Sequence, residues 1–388
     1  MNVTSVKRIH QSDWTDSGVR FLRARDIVSA SKNEEPDDYL YISKEKYDEY
    51  SLISGKVSVG DLLVTGVGTI GVPYLIRNSE PLYFKDGNII WFQNGTKIDG
   101  DFFLYSFFGK AIQDFINESA GIGTVGTYTI ESGKKTPISL PEMKEQQQIG
   151  AYFRNLDHLI TLHQRKYDKL QVLKKAMLEK MFPKNGSSVP EIRFKGFTDA
   201  WEQRKLSEIA GKVTEKNTGL QYVETLTNSA EFGIISQRDF FDHDISKLGS
   251  LDGYYIVRNE DFVYNPRIST SAPVGPINRN KLGRTGVMSP LYTVFRPHDI
   301  DTTYLEHFFK CGYWYSFMNF NGDSGARSDR FSIKDDVFFQ MPIPVPHIEE
   351  QRKIGLFLTQ LDHLITLHQR ELEKLQNIKK SMLEKMFV

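Results

Sequence analysis

Two long stretches of the chain repeat the same spacing of apolar and polar positions. Residues 145–182 and 350–387 are identical at 25 of 38 positions, at a constant offset of 205 residues, and share the unbroken decamer LDHLITLHQR. Neither stretch contains proline, and good helix formers such as Leu, Lys, Glu, Gln and Met dominate both. Apolar residues recur every three or four positions, as on one face of a helix. The pattern predicts two near-identical helices of about 38 residues, each roughly 55 Å long.

A lone helix of this kind is marginal in water, so each apolar stripe needs a partner. The other copy is suitable because nearly identical stripes pair readily as a coiled coil. The alternative is that each helix packs separately on its own domain. The repeat alone does not fix the direction, but we expect an antiparallel pair, which suits the binding of two copies of one partner. Some helix side chains should lie in the seam, where the two long helices face each other, or on the surface that binds a partner protein. They are Leu156, Leu159, His163, Leu170, Leu361, Leu364, His368 and Leu375.

Outside the helices the pattern changes to the alternation and β-branched residues typical of strands. Residues 57–76 and 254–278 have this pattern with glycine punctuation, and short aromatic helices are predicted within 102–116 and 304–318. We predict an α+β fold with two globular domains in tandem repeat, separated by two long helices that form an antiparallel coiled coil. The predicted boundaries are 1–142 for the first domain, 143–184 for the first helix, 185–348 for the second domain and 349–388 for the second helix.

Composition narrows the function classes. Lys and Arg total 49 and Asp and Glu total 49, which excludes a histone-like basic protein but leaves room for a local basic face. The single cysteine excludes an internal disulfide and a cysteine-based zinc site. No stretch reaches the roughly 20 apolar residues of a membrane span. We therefore expect a cytoplasmic protein with no membrane partner.

Two glycine strings have the form of a nucleotide-binding loop. Residues 66–71 and 121–126 both read GxGxxG, but a dinucleotide or S-adenosylmethionine site needs a strand before the string and a helix after it. Both strings run into predicted strands, so tight turns are the preferred interpretation. If one of these strings did bind S-adenosylmethionine, the chain would be a stand-alone DNA methyltransferase that depends on this cofactor. We keep this enzyme as the alternative function. His158 and His163 lie about 140° apart around a helix, without a carboxylate cluster, so no metal site is predicted.

Arginines and loop hydroxyls point instead to nucleic acid. Arginine suits bidentate contact with guanine edges and phosphates, and both halves of the chain carry such clusters. A solvated surface is the alternative for any one of them. The candidate DNA-binding residues are Arg20, Arg23, Arg25, Thr65, Thr69, Thr124, Tyr128, Lys134, Lys135, Arg267, Ser269, Arg279, Arg284, Arg327 and Arg330. No catalytic residues are predicted.

Several segments together resemble the specificity subunit (S subunit) of bacterial Type I restriction-modification enzymes. They are GDLLVTGVGTIGVP (60–73), TPISLPEMKEQQQIG (136–150), MPIPVPHIEEQRKIG (341–355), the two LDHLITLHQR helices and VPEIRFKGFTDAWEQRKL (189–206). The resemblance covers essentially the whole chain and includes its repeat.

This resemblance implies a non-catalytic subunit whose two target-recognition domains each read one half of a bipartite site in double-stranded DNA. The helices would set the spacing and bind two modification (methyltransferase) subunits, which in turn gather restriction subunits. It implies no cofactor in this chain, because S-adenosylmethionine, ATP and magnesium would belong to the partner subunits. A coiled-coil interaction protein without a DNA role is a further alternative.

One departure from the family pattern concerns the first domain. Residues 189–206 open the second half, and at the offset of 205 Met1 aligns with Leu206. We therefore expect the first domain either to lack this opening segment or to have its true start upstream.

Overall fold

A computed structural model describes residues 1–120, 126–184, 186–241, 248–324 and 329–387. The chain divides into unit 1, which is Met1–Arg165 with His368–Val388, and unit 2, which is Lys166–Leu367. Each unit therefore holds one domain and one segment of each long helix.

The domain of unit 1 combines eight described strands with five short α-helices and a 3-10 helix at Gln11–Asp13. The strands are β1 (Asn2–Thr4), β2 (Trp14–Thr15), β3 (Val19–Leu22), β4 (Leu40–Ile42), β5 (Leu62–Thr65), β6 (Pro73–Leu75), β7 (Leu82–Phe84) and β8 (Ile89–Gln93). The helices are α1 (Ala24–Ser31), α2 (Lys44–Ser54), α3 (Gly100–Ser106), α4 (Lys110–Ser119) and α5 (Ile130–Lys135), and the long helix α6 (Met143–Lys180) follows.

These strands form two four-stranded sheets. One is antiparallel with the order β1-β8-β5-β6, and the other has the order β2-β4-β3-β7, in which β3 and β7 are parallel. The first sheet packs on α3 through an edge-to-face contact of Phe92 with Phe103, at 5.9 Å between ring centroids, and on α4 through Ile112 and Ile116. Asp99 begins α3 because its carboxylate accepts the N–H of Phe102 at 3.0 Å.

The domain of unit 2 follows a related plan. Its strands are β9 (Glu202–Lys205), β10 (Ala210–Lys212), β11 (Leu226–Ser229), β12 (Gly233–Ser236), β13 (Tyr255–Val257), β14 (Phe262–Tyr264), β15 (Ile277–Arg279), β16 (Gly286–Met288), β17 (Thr293–Pro297) and β18 (Pro342–Val345). Its helices are α7 (Leu206–Ile209), α8 (Gln237–Phe241), α9 (Thr302–Cys311), α10 (Tyr315–Asn321) and α11 (Asp335–Phe338), and the second long helix is α12 (Ile348–Met386).

The main sheet of unit 2 repeats that of unit 1. Its order is β10-β17-β14-β15, which matches β1-β8-β5-β6 strand for strand, and α9 covers it as α3 covers the first sheet. The pairs β11-β12, β13-β16 and β9-β18 add two-stranded sheets. The predicted tandem α+β organisation is therefore confirmed.

The long helices pair antiparallel inside each unit. In unit 1, Asp157 forms an ion pair with Lys379 at 2.6 Å, and His163 Nδ1 lies 3.1 Å from His368 Nδ1. Residue numbers thus rise along α6 as they fall along α12. In unit 2, Lys174 pairs with Asp362, which is the same bridge with both partners shifted by the repeat offset. The predicted antiparallel direction is confirmed.

Candidate nucleic-acid interface

The loops that follow β5 in unit 1 and β14 in unit 2 are held in the same way. The backbone N–H of Tyr128 donates to the carbonyl of Gly66 at 2.9 Å, and that of Phe331 donates to the carbonyl of Pro266 at 2.7 Å. The two loops are therefore structural counterparts although their sequences differ. The residues directly beside these two hydrogen bonds therefore occupy equivalent positions in the two units.

The first glycine string forms the hairpin turn between β5 and β6. Gly68 and Gly71 have φ angles of 78° and 76°, in the region that favours glycine. A strand rather than a helix follows the string, so this geometry is not that of a nucleotide-binding loop. Most of the second string, residues 121–126, lies outside the described residues.

Two predicted DNA-contacting residues of unit 1 are buried, and the expectation that they present donors on exposed loops is wrong. The Thr65 hydroxyl donates to the Thr69 carbonyl at 2.5 Å and accepts from the Val72 N–H at 2.9 Å, so it is used up inside the turn. The Tyr128 hydroxyl bonds Thr136, and burial raises the pKa of Tyr128 to about 12. Thr69 is exposed at the tip of the turn.

The arginine cluster near β3 is largely neutralised by carboxylates. Arg23 bonds Asp26 at 2.8 Å and Asp38 at 2.9 Å, and its side chain is mostly buried. Arg25 bonds the same Asp38 at 2.6 Å but is exposed. Arg23 is therefore a structural residue rather than a free cation, which corrects its assignment as a DNA contact.

Two arginines of unit 2 are also engaged. Arg284 makes a bidentate pair with Glu224, with both bonds at 2.7 Å, on the surface. The Arg279 side chain is 8% exposed and bonds Glu306 at 2.6 Å. Burial alone would raise the pKa of the Glu306 carboxyl, but Lys310 and Arg279 hold it at about 2. Arg279 belongs to this buried ion network, so its assignment as a DNA contact is wrong.

Arg267 and Arg330 differ from these residues because both are exposed and face each other. Their backbones form an antiparallel bridge, so the two side chains leave from directly opposite positions. Within the described residues neither guanidinium has a hydrogen bond or an ion pair. Ser269 is exposed on the same loop, where its hydroxyl accepts from the N–H of Ala272 at 3.2 Å. Folding thus places two unneutralised cations side by side.

The remaining cations of unit 1 are more dispersed. The Arg20 guanidinium lies 4.2 Å from the ring centroid of Tyr39, at the edge of a cavity of about 780 Å³. Lys134 bonds Glu131 at 2.7 Å, one turn away on α5, and Lys135 is exposed beside it. Where the structure describes the counterpart loop of unit 1, the residues next to the Gly66–Tyr128 bond are Val67 and Thr127 rather than two arginines. Thr124 and Arg327 lie outside the described residues.

The predicted helix residues divide between core and surface. Leu156 and Leu361 are 7% and 5% exposed and belong to the cores of their units, so they do not reach a partner. Leu159 and Leu364 are each 40% exposed, so they lie outside the seam and available to a partner. In unit 1, Leu162 lies one turn along α6 from Leu159, is 38% exposed and extends that apolar surface, and sequence reasoning missed it.

The other predicted helix residues lie in the seam. His163 and His368 face each other there, and Leu170 and Leu375 are half-buried against the cores of unit 2 and unit 1 respectively. No helix of the described residues is long and apolar enough to cross a membrane.

The chain matches a known protein family over both copies of its repeat. The family model of the Type I restriction modification DNA specificity domain matches residues 12–172 and again residues 198–377. The chain belongs to this family. The two matches correspond to the two copies of the repeat, and the family identity gives the chain a non-catalytic DNA-recognition and scaffold role.

Relatives agree with the family. A putative Type I restriction enzyme specificity subunit of Haemophilus influenzae is 35% identical over 163 residues, which cover 41% of this chain and 39% of that protein. The putative MjaX specificity subunit of Methanocaldococcus jannaschii is 25% identical over 88% of this chain and 80% of its own length. Among solved structures, a Type I restriction-modification S subunit from M. genitalium matches with a TM-score of 0.50 at 14% identity, over all of this chain and 93% of that one. The last comparison shows the fold alone.

Proposed function

We propose that each unit of this specificity chain reads one half of a bipartite site in double-stranded DNA, and that the paired helices set the gap between the halves. The observation that carries the proposal is the exposed pair of Arg267 and Arg330 on the counterpart loop of unit 2.

Like charges directly opposite each other across an antiparallel bridge are unfavourable unless a third group compensates them. The other arginines of unit 2 described above have carboxylate partners, whereas these two have none among the described residues. Phosphate oxygens and the O6 and N7 atoms of guanine are acceptors that suit guanidinium forks. DNA would therefore supply the missing compensation.

The two units are expected to read different bases. At the equivalent loop unit 1 carries Val67 and Thr127, which offer an apolar contact and a neutral hydroxyl instead of two cations. Apolar and hydroxyl groups suit the thymine methyl or neutral base edges rather than guanine. A split, asymmetric target follows from one fold that carries two different loops.

The helix surface supports binding of two copies of one partner. Leu159 in unit 1 and Leu364 in unit 2 are repeat counterparts with equal exposure, so each unit offers the same apolar patch. We infer that each patch binds one modification subunit, and that restriction subunits join through those. S-adenosylmethionine, ATP and magnesium would then be bound by the partner subunits.

The proposal is tested by DNA binding of the chain assembled with its modification subunits. Arg330→Ala and Arg267→Ala should each weaken binding and reduce the slope of log K against log salt by about 1. Arg284→Ala is the matched control, because this exposed arginine already forms an ion pair with Glu224. Affinity that does not depend on salt, or an equal loss for all three variants, would contradict the proposal.

A further inference from the structure

Three phenylalanines form an exposed cluster on the surface of unit 2. Phe232 is 59% exposed, and its ring centroid lies 6.2 Å from that of Phe240. The Phe240 ring in turn meets that of Phe241 edge-on at 4.6 Å, and these two residues are 41% and 38% exposed. Phenyl rings that contact each other and stay open to solvent form an apolar patch of the kind that marks a binding surface.

Phe232 occupies the tip of a hairpin whose shape is fixed. Strands β11 and β12 pair so that Ser229 lies opposite Gly233, which leaves residues 230–232 as a three-residue turn. Gly233 closes the turn with a φ angle of 70°, in the region that favours glycine. The Ser229 hydroxyl accepts the N–H groups of Glu231 and Phe232, at 3.2 and 3.3 Å. The turn therefore presents the Phe232 ring to solvent from a rigid support.

The turn lies beside the loop that carries the exposed arginine pair. The Asn265 side-chain amide donates to the Asn228 carbonyl at 2.7 Å, and the Asn265 Oδ1 atom accepts the N–H of Arg267 at 3.0 Å. Asn228 directly precedes Ser229, which holds the N–H of Phe232. Three hydrogen bonds and one peptide bond thus connect the aromatic tip to the arginine loop, so one ligand can contact both.

At the position that corresponds to Phe240, unit 1 has a buried residue instead of an exposed aromatic. Helices α1 and α8 both carry arginine and aspartate at their second and third positions, and the next residue is Ile27 in α1 and Phe240 in α8. Ile27 is fully buried. A surface for two copies of one partner should occur in both units, as exposed Leu159 and Leu364 do. A surface that differs between the units suits DNA, because each unit reads a different half-site.

We propose that Phe232 acts as a wedge that inserts between two base pairs of the half-site read by unit 2, an inference that rests on the proposed function. Apolar side chains unstack a base step in this way when arginines nearby hold the duplex. Arg267 and Arg330 would bind the adjacent phosphates or guanine edges, and Phe240 would brace the inserted ring. Glu231 is exposed and has no ion pair among the described residues, and its carboxylate suits a base amino group rather than a phosphate.

The test uses the full chain assembled with its modification subunits and duplexes of the methylated motif. The base analogue 2-aminopurine, which fluoresces more strongly when it is unstacked, replaces one base at a time in the half-site that exchange of residues 189–340 assigns to unit 2. We expect a severalfold rise at one step away from the methylated base. Phe232→Ala should abolish this rise and weaken binding about tenfold, whereas Phe232→Leu, still an apolar wedge, should keep most of both. Phe320→Ala is the matched control: this phenylalanine of unit 2 is 89% exposed, and its loss should change neither.

The methylated base gives an internal reference, because methyltransferases flip their target base out of the stack; its fluorescence should be the same with Phe232→Ala. Tight DNA binding without a rise elsewhere in the half-site, or a rise that survives in Phe232→Ala, would overturn the wedge and leave DNA reading by unit 2 intact. If the original assembly bound no DNA, the proposed function would fail and the wedge with it. Loss of a modification subunit from the Phe232→Ala assembly in sedimentation would assign the cluster to protein docking and overturn the proposal.

Discussion

The strongest test of how a domain is mounted on its helix is Gly150→Ala. Gly150 lies on α6 where α3 begins, and a Cβ atom there would come within 2.7 Å of both Asp99 Oδ1 and the Phe102 nitrogen. Real carbon contacts are optimal at roughly 3.5 to 4.0 Å, so the first turn of α3 must move away. Gln146, one turn earlier, accepts the N–H of Asp99 at 3.0 Å, and that bond would stretch as α3 moves.

The magnitude follows from opposing effects. Overpacking of this kind costs about 1–3 kcal/mol, and a strained hydrogen bond costs about 0.5–1.5 kcal/mol. Against these losses, alanine stabilises a helix interior by up to about 1 kcal/mol relative to glycine, because its helix propensity is higher. The net expectation is a loss of about 1–3 kcal/mol in the free energy of unfolding of unit 1.

Two further glycines have more space around them than Gly150, so their alanine variants should lose less stability. At Gly355, the repeat counterpart, the Cβ would lie 3.1 Å from Thr303 Cγ2 and from the Tyr304 nitrogen, so a shift of a few tenths of an ångström suffices. The loss for Gly355→Ala should be within about 1 kcal/mol, since the helix propensity gain offsets it. Gly211 has no neighbour within 4 Å, so Gly211→Ala should be nearly neutral.

The assay is hydrogen exchange during urea titration, which follows the amides of α3 for unit 1 and those of α9 for unit 2. Separate probes are needed because two units do not guarantee one two-state transition. If Gly150→Ala left unit 1 as stable as the original, or if Gly355→Ala lost as much as Gly150→Ala, tight mounting through these glycines would be refuted.

Burial and nearby Lys310 lower the pKa of His307 to about 3, whereas an unfolded histidine has a pKa of about 6.5. The unfolded state therefore binds more protons than the folded state as the pH falls. Below about pH 6.5 the free energy of unfolding of unit 2 should fall by up to about 1.4 kcal/mol per pH unit. His307→Gln should flatten that slope between about pH 6.5 and 5 in urea titrations; an unchanged slope would contradict this assignment. Leu159→Lys should keep the fold but lose one modification subunit in sedimentation, whereas Val172→Lys, at a residue 70% exposed, should not; full assembly of the first variant would refute the docking surface. Inserting four residues in α6 adds about one turn, roughly 6 Å, so the methylated motif of a sequenced genome should change its gap by about two base pairs of ~3.4 Å with unchanged half-sites. Replacing residues 189–340 with the matching region of another specificity chain should rewrite one half-site, and a change in both halves would contradict the modular reading.

The sequence predicts the long helices and their pairing because both copies carry an apolar stripe, and each stripe is buried when the two helices pack together. Which leucine serves which contact does not follow. Leu156 and Leu159 are both leucines on the same predicted stripe, yet one belongs to the domain core and the other is exposed. A helix that touches both a domain and a second helix buries more than one face, and spacing alone does not separate these faces.

The candidate interface was harder to predict, because an arginine in a sequence does not reveal its partners. Arg284 is matched by Glu224, which lies 60 residues away along the chain. Arg267 and Arg330 come together only when β14 and the segment before α11 fold side by side. Their exposed charge is a property of tertiary structure, and local composition could indicate only that arginines are present.

The histidine pair in the seam has a consequence for the exchange of protons between the two copies of the repeat. His163 and His368 are the same residue of the repeat, and they meet nitrogen to nitrogen, Nδ1 to Nδ1, at 3.1 Å. A bond between two like nitrogens needs one that holds a hydrogen and one that offers a lone pair. One imidazole must therefore carry a hydrogen on Nδ1 while the other offers a lone pair there, so two residues with the same place in the repeat take unequal roles.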